Sequence, residues 1–122
     1  MTAVAHTPLQ LGSLKLIRSV GDGIAIGIPA EWAIRIDEIS ASRVRLRAVR
    51  PYTHHVVRMH LCVGVSMPLD DGLRISVKSI RVPVNGKPAR TTLRVHADRD
   101  VPVYRHEIYD EIVRQMAEEA AQ

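Results

Sequence analysis

Two groups of side chains in this sequence carry chemistry. Arg43, Arg45, Arg47 and Arg50 form a basic stripe, and the first three fall at period two, on one face of a strand. Such a stripe either tracks a phosphate chain or keeps an edge strand soluble. Exposed arginine is common enough that solubility is the first reading. His54, His55, His60 and Cys62 offer metal-ligating atoms, with His60 and Cys62 on a shared strand face. Their spacing fits no tetrahedral zinc signature and no fourth ligand is evident, so neither a metal nor another cofactor is expected. Catalytic patterns are missing too. There is no nucleophile elbow, phosphate loop or paired-carboxylate motif, and Gly21-Asp22-Gly23-Ile24 reads as a tight turn rather than a piece of a dinucleotide fingerprint. The chain is not expected to be an enzyme.

The scaffold that positions these residues is bounded by composition. At 122 residues the chain is long enough for one modest core and too short for two of average size. Phe is absent, and only Trp32, Tyr52, Tyr104 and Tyr109 carry rings, which leaves Val, Ile and Leu to fill a strand-rich interior. The same shortage excludes recognition by several aromatic base-stacking platforms. Seventeen Lys and Arg against thirteen Asp and Glu give a net charge of +4, a mild bias toward polyanions such as RNA. The single cysteine excludes an internal disulfide, and MTAVAHTPLQLGS lacks the basic start and apolar core of a secretory signal. No apolar stretch approaches the roughly 20 residues of a spanning helix. A cytoplasmic protein with no membrane association is expected.

Residues 1–12 lack either period and read as a flexible leader, with residues 13–122 as one domain. Alternation then takes over: Leu14 and Leu16 around Lys15; Trp32, Ile34 and Ile36; Val44, Leu46 and Ala48; Leu73, Ile75 and Val77. Each predicts a strand with one wet face. Gly21 to Gly23, Ala41-Ser42, Asp70 to Gly72 and Asn85-Gly86 punctuate them, the last being a strong hairpin signal, so adjacent strands are expected to be mostly antiparallel. From His106 the apolar positions Ile108, Ile112 and Met116 fall four apart, which predicts one C-terminal helix. The fold class is therefore all-β with a terminal helix.

The chain also repeats itself. LKLIRSVGDGIAIG, WAIRIDEI and RVRLRAVRP have a fainter echo in VVRMHLCVGVSMPL, LRISVKSI and TTLRVHADRD, with Val20-Gly21 and Val63-Gly64 fixing the register. Unit one spans about residues 14–57 and unit two about 57–115. Residues 14–27 and the closing DVPVYRHEIYDEIV, residues 100–113, resemble the first strand and the last strand plus helix of the CsrA/RsmA post-transcriptional regulators. In that family two five-stranded subunits interlock, and each RNA site lies between the first strand of one and the fifth strand of the other.

This resemblance implies interlocked antiparallel sheets, here in a single-chain pseudo-dimer, and recognition of a GGA element in hairpin loops of mRNA, with small regulatory RNAs as further partners. It implies translational repression or altered message decay as the outcome. Residues 54–65 must serve as the fifth strand of unit one or the first strand of unit two, so one composite RNA site is expected per chain. Arg105 matches the family's key fifth-strand arginine, a fork of fixed donors suited to phosphate and guanine edges. Leu16 and Arg18 match first-strand site residues, and Ile17, Val101, Val103 and Tyr104 complete the implied surface. Ser19, Ile17, Asp98 and His106 stand where the family has arginine, threonine, proline and glutamate. Two alternatives follow: a family subunit with residues 52–99 inserted, which would form a strand-exchanged homodimer, and a protein that has lost RNA binding and pairs with or titrates a CsrA-type regulator or its protein antagonist.

Overall fold

The computed structural model describes residues 12–121. Nine strands precede one helix: β1 (Leu14–Arg18), β2 (Gly23–Ile26), β3 (Trp32–Ile39), β4 (Arg43–Arg50), β5 (His55–Cys62), β6 (Ser66–Asp70), β7 (Leu73–Arg81), β8 (Arg90–His96), β9 (Val103–Arg105) and α1 (His106–Ala120). Most of the expected leader, residues 1–11, lies outside the described residues. Gly12, its last residue, is buried, and its N–H donates to the Val101 carbonyl at 2.9 Å.

The alternating segments become strands because alternation lets one face enter a core while the other stays wet. In β4, Val44, Leu46 and Ala48 are fully buried between exposed or half-buried arginines. The expected turn chemistry closes the hairpins. Asn85 and Gly86 both take positive φ, 52° and 78°, and the Lys87 N–H donates to the Val84 carbonyl, the two-residue loop that matches strand twist. Between β6 and β7, Gly72 takes φ 74°, and a Cβ there would lie 2.7 Å from the Asp98 carboxylate, so that turn accepts no larger residue without strain.

All strand pairs are antiparallel and form two sheets, in the orders β1-β8-β7-β6 and β5-β4-β3-β2-β9. Matched as β1 to β4 against β5 to β8, the two sheets have the same order with first strands exchanged. β1 joins β8 of the second half, and β5 joins β4 of the first. β5 therefore takes the place of a first strand. Its sheet gains β9 beside β2, whereas the far side of β6 carries no strand among the described residues. The inner faces pack on each other: Ile24, Ile34, Leu46 and Met59 meet Leu16, Ile75, Val77, Leu93 and Val95 in one cluster. Burial of these side chains contributes about 1.5 to 3 kcal/mol each.

Two elements depart from the sequence expectation. β2 is buried at all four residues, because α1 covers the face that alternation would leave wet. Along α1 only Ile112 is buried, while Ile108, Val113 and Met116 stay exposed, because the helix packs chiefly against β2 and β9 at its start.

A polar pin joins the sheets at one end. The buried Trp32 indole N–H donates to Asp70 Oδ2 at 2.8 Å, the Arg50 guanidinium binds the same oxygen, and its carbon lies 4.5 Å from the Trp32 ring centroid. Arg50 thus leaves the basic stripe to serve this cluster. Asp70→Ala orphans a buried donor and is expected to lower the unfolding free energy by about 1–3 kcal/mol. Asp70→Asn keeps an acceptor and loses less. Urea unfolding followed by fluorescence of the single tryptophan measures both; equal losses would show that the indole bond contributes nothing.

Candidate nucleic-acid interface at the chain ends

β1 and β9 are edge strands of different sheets, each bonded to one neighbour only, β8 and β2 respectively. Of their residues Lys15, Ile17 and Arg105 are exposed, whereas Leu16, Val103 and Tyr104 are 2%, 0% and 1% exposed. Two fixed contacts bring the chain ends alongside each other in the same direction. At one end Gly12 bonds to Val101. At the other, the Arg18 guanidinium donates through Nη1 and Nη2 to the two Glu107 carboxylate oxygens, at 3.1 and 3.3 Å. The first and last strands of the domain therefore share one margin of the sandwich.

Arg18 is 7% exposed and its donors are committed inside the fold. Nε donates to the Ile17 carbonyl at 2.8 Å, and Nη1 also reaches the Gly23 carbonyl at 3.3 Å. The side chain thus ties the end of β1 to the turn before β2 and to the first turn of α1. An arginine fork suits this task because its planar donors serve a carboxylate and a carbonyl together. Next to it, the Asp22 carboxylate accepts from the Ser19 N–H at 2.8 Å and closes the tight turn expected at Gly21 to Gly23. Ser19 contributes that backbone donor to the turn.

The other sequence-derived site residues divide by environment. Leu16 and Val103 belong to the core, at 2% and 0% exposed. Tyr104 is buried beneath α1, its ring 6.3 Å from that of Tyr109, and burial pushes its phenol above the ordinary value of 10.0. Tyr109 holds the opposite loop by accepting from the Ala30 N–H at 2.8 Å. Val101 is half-buried against the core. Ile17 and Arg105 are exposed. Arg105 sits opposite Ile24 at the end of β9, with extended backbone (φ −60°, ψ 141°), and precedes the helix. No carboxylate lies in ion-pair range of Arg105 among the described residues. The margin therefore offers the guanidinium of Arg105, the apolar Ile17 and the ammonium of Lys15. Asp98, whose acidity stood out in the sequence, places its carboxylate against the turn at Gly72.

The histidine and cysteine group does not converge. His60 and Cys62 are exposed on β5, opposite Arg45 and Arg43, and no cluster of three or more His, Cys, Asp or Glu is placed to hold a metal ion among the described residues. No helix among them is long and apolar enough to cross a membrane. Sequence reasoning passed over Glu107, although the acidic residue in the first turn of a predicted helix was a signal available for it. Protein-family models, curated proteins and solved structures yield no match to the chain.

The Arg18 hydrogen bonds hold the Glu107 carboxyl below the ordinary value of 4.5, outweighing its partial burial. A carboxyl lowered in the folded state stabilises the fold above its unfolded pKa and loses that contribution as pH falls through the folded value. Wild type is therefore expected to exceed Glu107→Gln in stability by a constant margin near neutral pH, and the margin should shrink as pH falls below the ordinary carboxylate range. Urea unfolding across this range checks it; a margin independent of pH would mean that the ion pair contributes nothing.

Proposed function

We propose that this chain is an RNA-binding post-transcriptional regulator of the CsrA/RsmA type, acting in the cytoplasm on GGA motifs in single-stranded hairpin loops of mRNA. The observation that carries this reading is the exchange of first strands between two like-ordered sheets, β1 onto β8 and β5 onto β4. That exchange within one polypeptide supports the interlocked arrangement that the resemblance at both chain ends implies. Nine strands stand among the described residues where two interlocked subunits would have ten, and the one without a counterpart there belongs beside β6. One edge pair remains for RNA, β1 with β9, so one site per chain follows.

Within that site the roles follow the environments described above. Arg105 grips phosphate or a guanine edge. Ile17 and Val101 supply apolar contact. Leu16, Val103 and Tyr104 hold the two strands in place from the interior, and Arg18 positions the margin through Glu107. A second reading, in which the chain binds a CsrA-type regulator or its antagonist in place of RNA, is favoured by the exposed Ile108, Val113 and Met116 of α1.

Titration with a GGA-loop hairpin against the same hairpin with a scrambled loop separates these readings. The expected result is preference for GGA, one RNA per chain, and a free particle near 13.6 kDa by light scattering. Arg105→Ala is expected to weaken binding by about 1–3 kcal/mol, roughly five- to 150-fold. Equal binding of both loops sinks the GGA reading, two equivalent sites per chain sink the single edge pair, and a particle of twice the mass sinks the self-contained monomer.

A further inference from the structure

The outer face of the four-stranded sheet carries a cluster of cations on three neighbouring strands. No Asp or Glu occurs in β1, β7 or β8. By register and alternation, Lys15, Arg74, Arg81, Arg90 and Arg94 stand on the wet face, and Lys78 projects at the bulge in β7. Two like-charged pairs lie directly opposite each other, Lys15 with Arg94 and Arg81 with Arg90. Direct cross-strand pairs of like charge destabilise a sheet. None of these six cations forms an ion pair among the described residues.

Protection against edge-to-edge aggregation does not account for this arrangement. It would need charge on the edges, whereas Arg74, Arg81, Arg90 and Arg94 lie on β7 and β8, the two interior strands. The five-stranded sheet also has a like-charged row, Arg35, Arg47 and Arg58, but acids stand beside it: Arg47 pairs with Asp37 at 3.1 Å and Arg45 lies 3.8 Å from Glu38. Beneath the unneutralised cations, the hydroxyl of Ser76, a residue 5% exposed and in the same cross-strand row as Lys15 and Arg94, has no hydrogen-bond partner. His96 reports the same field. Burial, then the charges of Arg94, Arg74 and Lys78, hold its imidazole below the ordinary value of 6.5.

We infer that this face is a second binding surface, one that takes the phosphodiester backbone of an RNA segment flanking the loop held at the β1 and β9 edges. Strand spacing and rise spread the cations over about 10 Å across and about 20 Å along the sheet. That extent suits a polymer rather than a single small anion. Continuity selects RNA: Lys15 and Ile17 of β1 face this surface, and the same strand is the edge that lies at the margin with Arg105. A nucleic acid leaving that margin runs onto the cations. The choice of polymer rests on the function proposed above, and the charge arrangement stands without it.

The test compares salt dependence of RNA binding in wild type, in the triple variant Arg74→Gln/Arg81→Gln/Arg90→Gln, and in Arg43→Gln/Arg45→Gln/Arg47→Gln on the other sheet. Fluorescence anisotropy is read between about 50 and 200 mM salt with GGA and scrambled loops on the same long stem. The first variant is expected to make the slope of log K against log salt shallower by about two, on both RNAs, since each lost phosphate contact removes about 0.7–0.9. The second variant should leave the slope nearly unchanged. Circular dichroism and urea midpoints establish that both remain folded. An unchanged slope in the first variant, or an equal change in the second, overturns the surface even if GGA preference holds. Loss of GGA preference with the first slope change retained overturns the loop reading and leaves the surface standing. Binding to anionic phosphatidylserine vesicles but to neither RNA overturns the RNA surface in favour of a membrane one.

Discussion

The pairing of the first strand with the eighth and of the ninth with the second is the constraint on which the molecule depends. Each pairing crosses from one half of the sequence to the other. Neither half can complete a sheet alone, and the core residues of each need the facing sheet to leave water. Because both halves belong to one chain, their association has the cost of loop closure, which grows only slowly with the length enclosed. The same crossing brings the chain ends together, and so the fold and the candidate site arise from one topological fact.

Open edges follow from that topology, and the molecule treats them unequally. β6 carries Pro68, whose missing N–H an edge strand tolerates, and β5 exposes His55, Arg58 and His60. β9 is only three residues long, yet with β1 it forms the margin that the ion pair of Arg18 and Glu107 keeps in place. One arginine is turned inward to fix geometry while another, Arg105, remains available.

Both sheets set like charges opposite each other, Arg35, Arg47 and Arg58 on one and Lys15 with Arg94 and Arg81 with Arg90 on the other. They differ in the acids beside them: Asp37 and Glu38 of β3 stand next to Arg47 and Arg45 of β4, whereas β1, β7 and β8 hold no Asp or Glu. A net charge of +4 conceals this difference, because the carboxylates that lower the total sit mainly in turns, in β3 and on α1.

Alternation and turn chemistry are local properties, and they are legible wherever one face of an element is wet. The strands around Trp32, Val44 and Leu73, the Asn85-Gly86 hairpin and the helix start at His106 are all visible in the amino-acid order for that reason. β2 hides from such reading, since α1 covers its second face and erases the alternation. The role of Arg18 hides as well: an arginine on a short strand looks the same in sequence whether it faces solvent or a carboxylate from the other end of the chain. Which sheet residues 55–62 would join, which arginines would find acids, and which apolar helix positions would stay exposed were decided only by tertiary packing. Those outcomes depend on contacts between residues far apart in sequence, to which no local pattern responds.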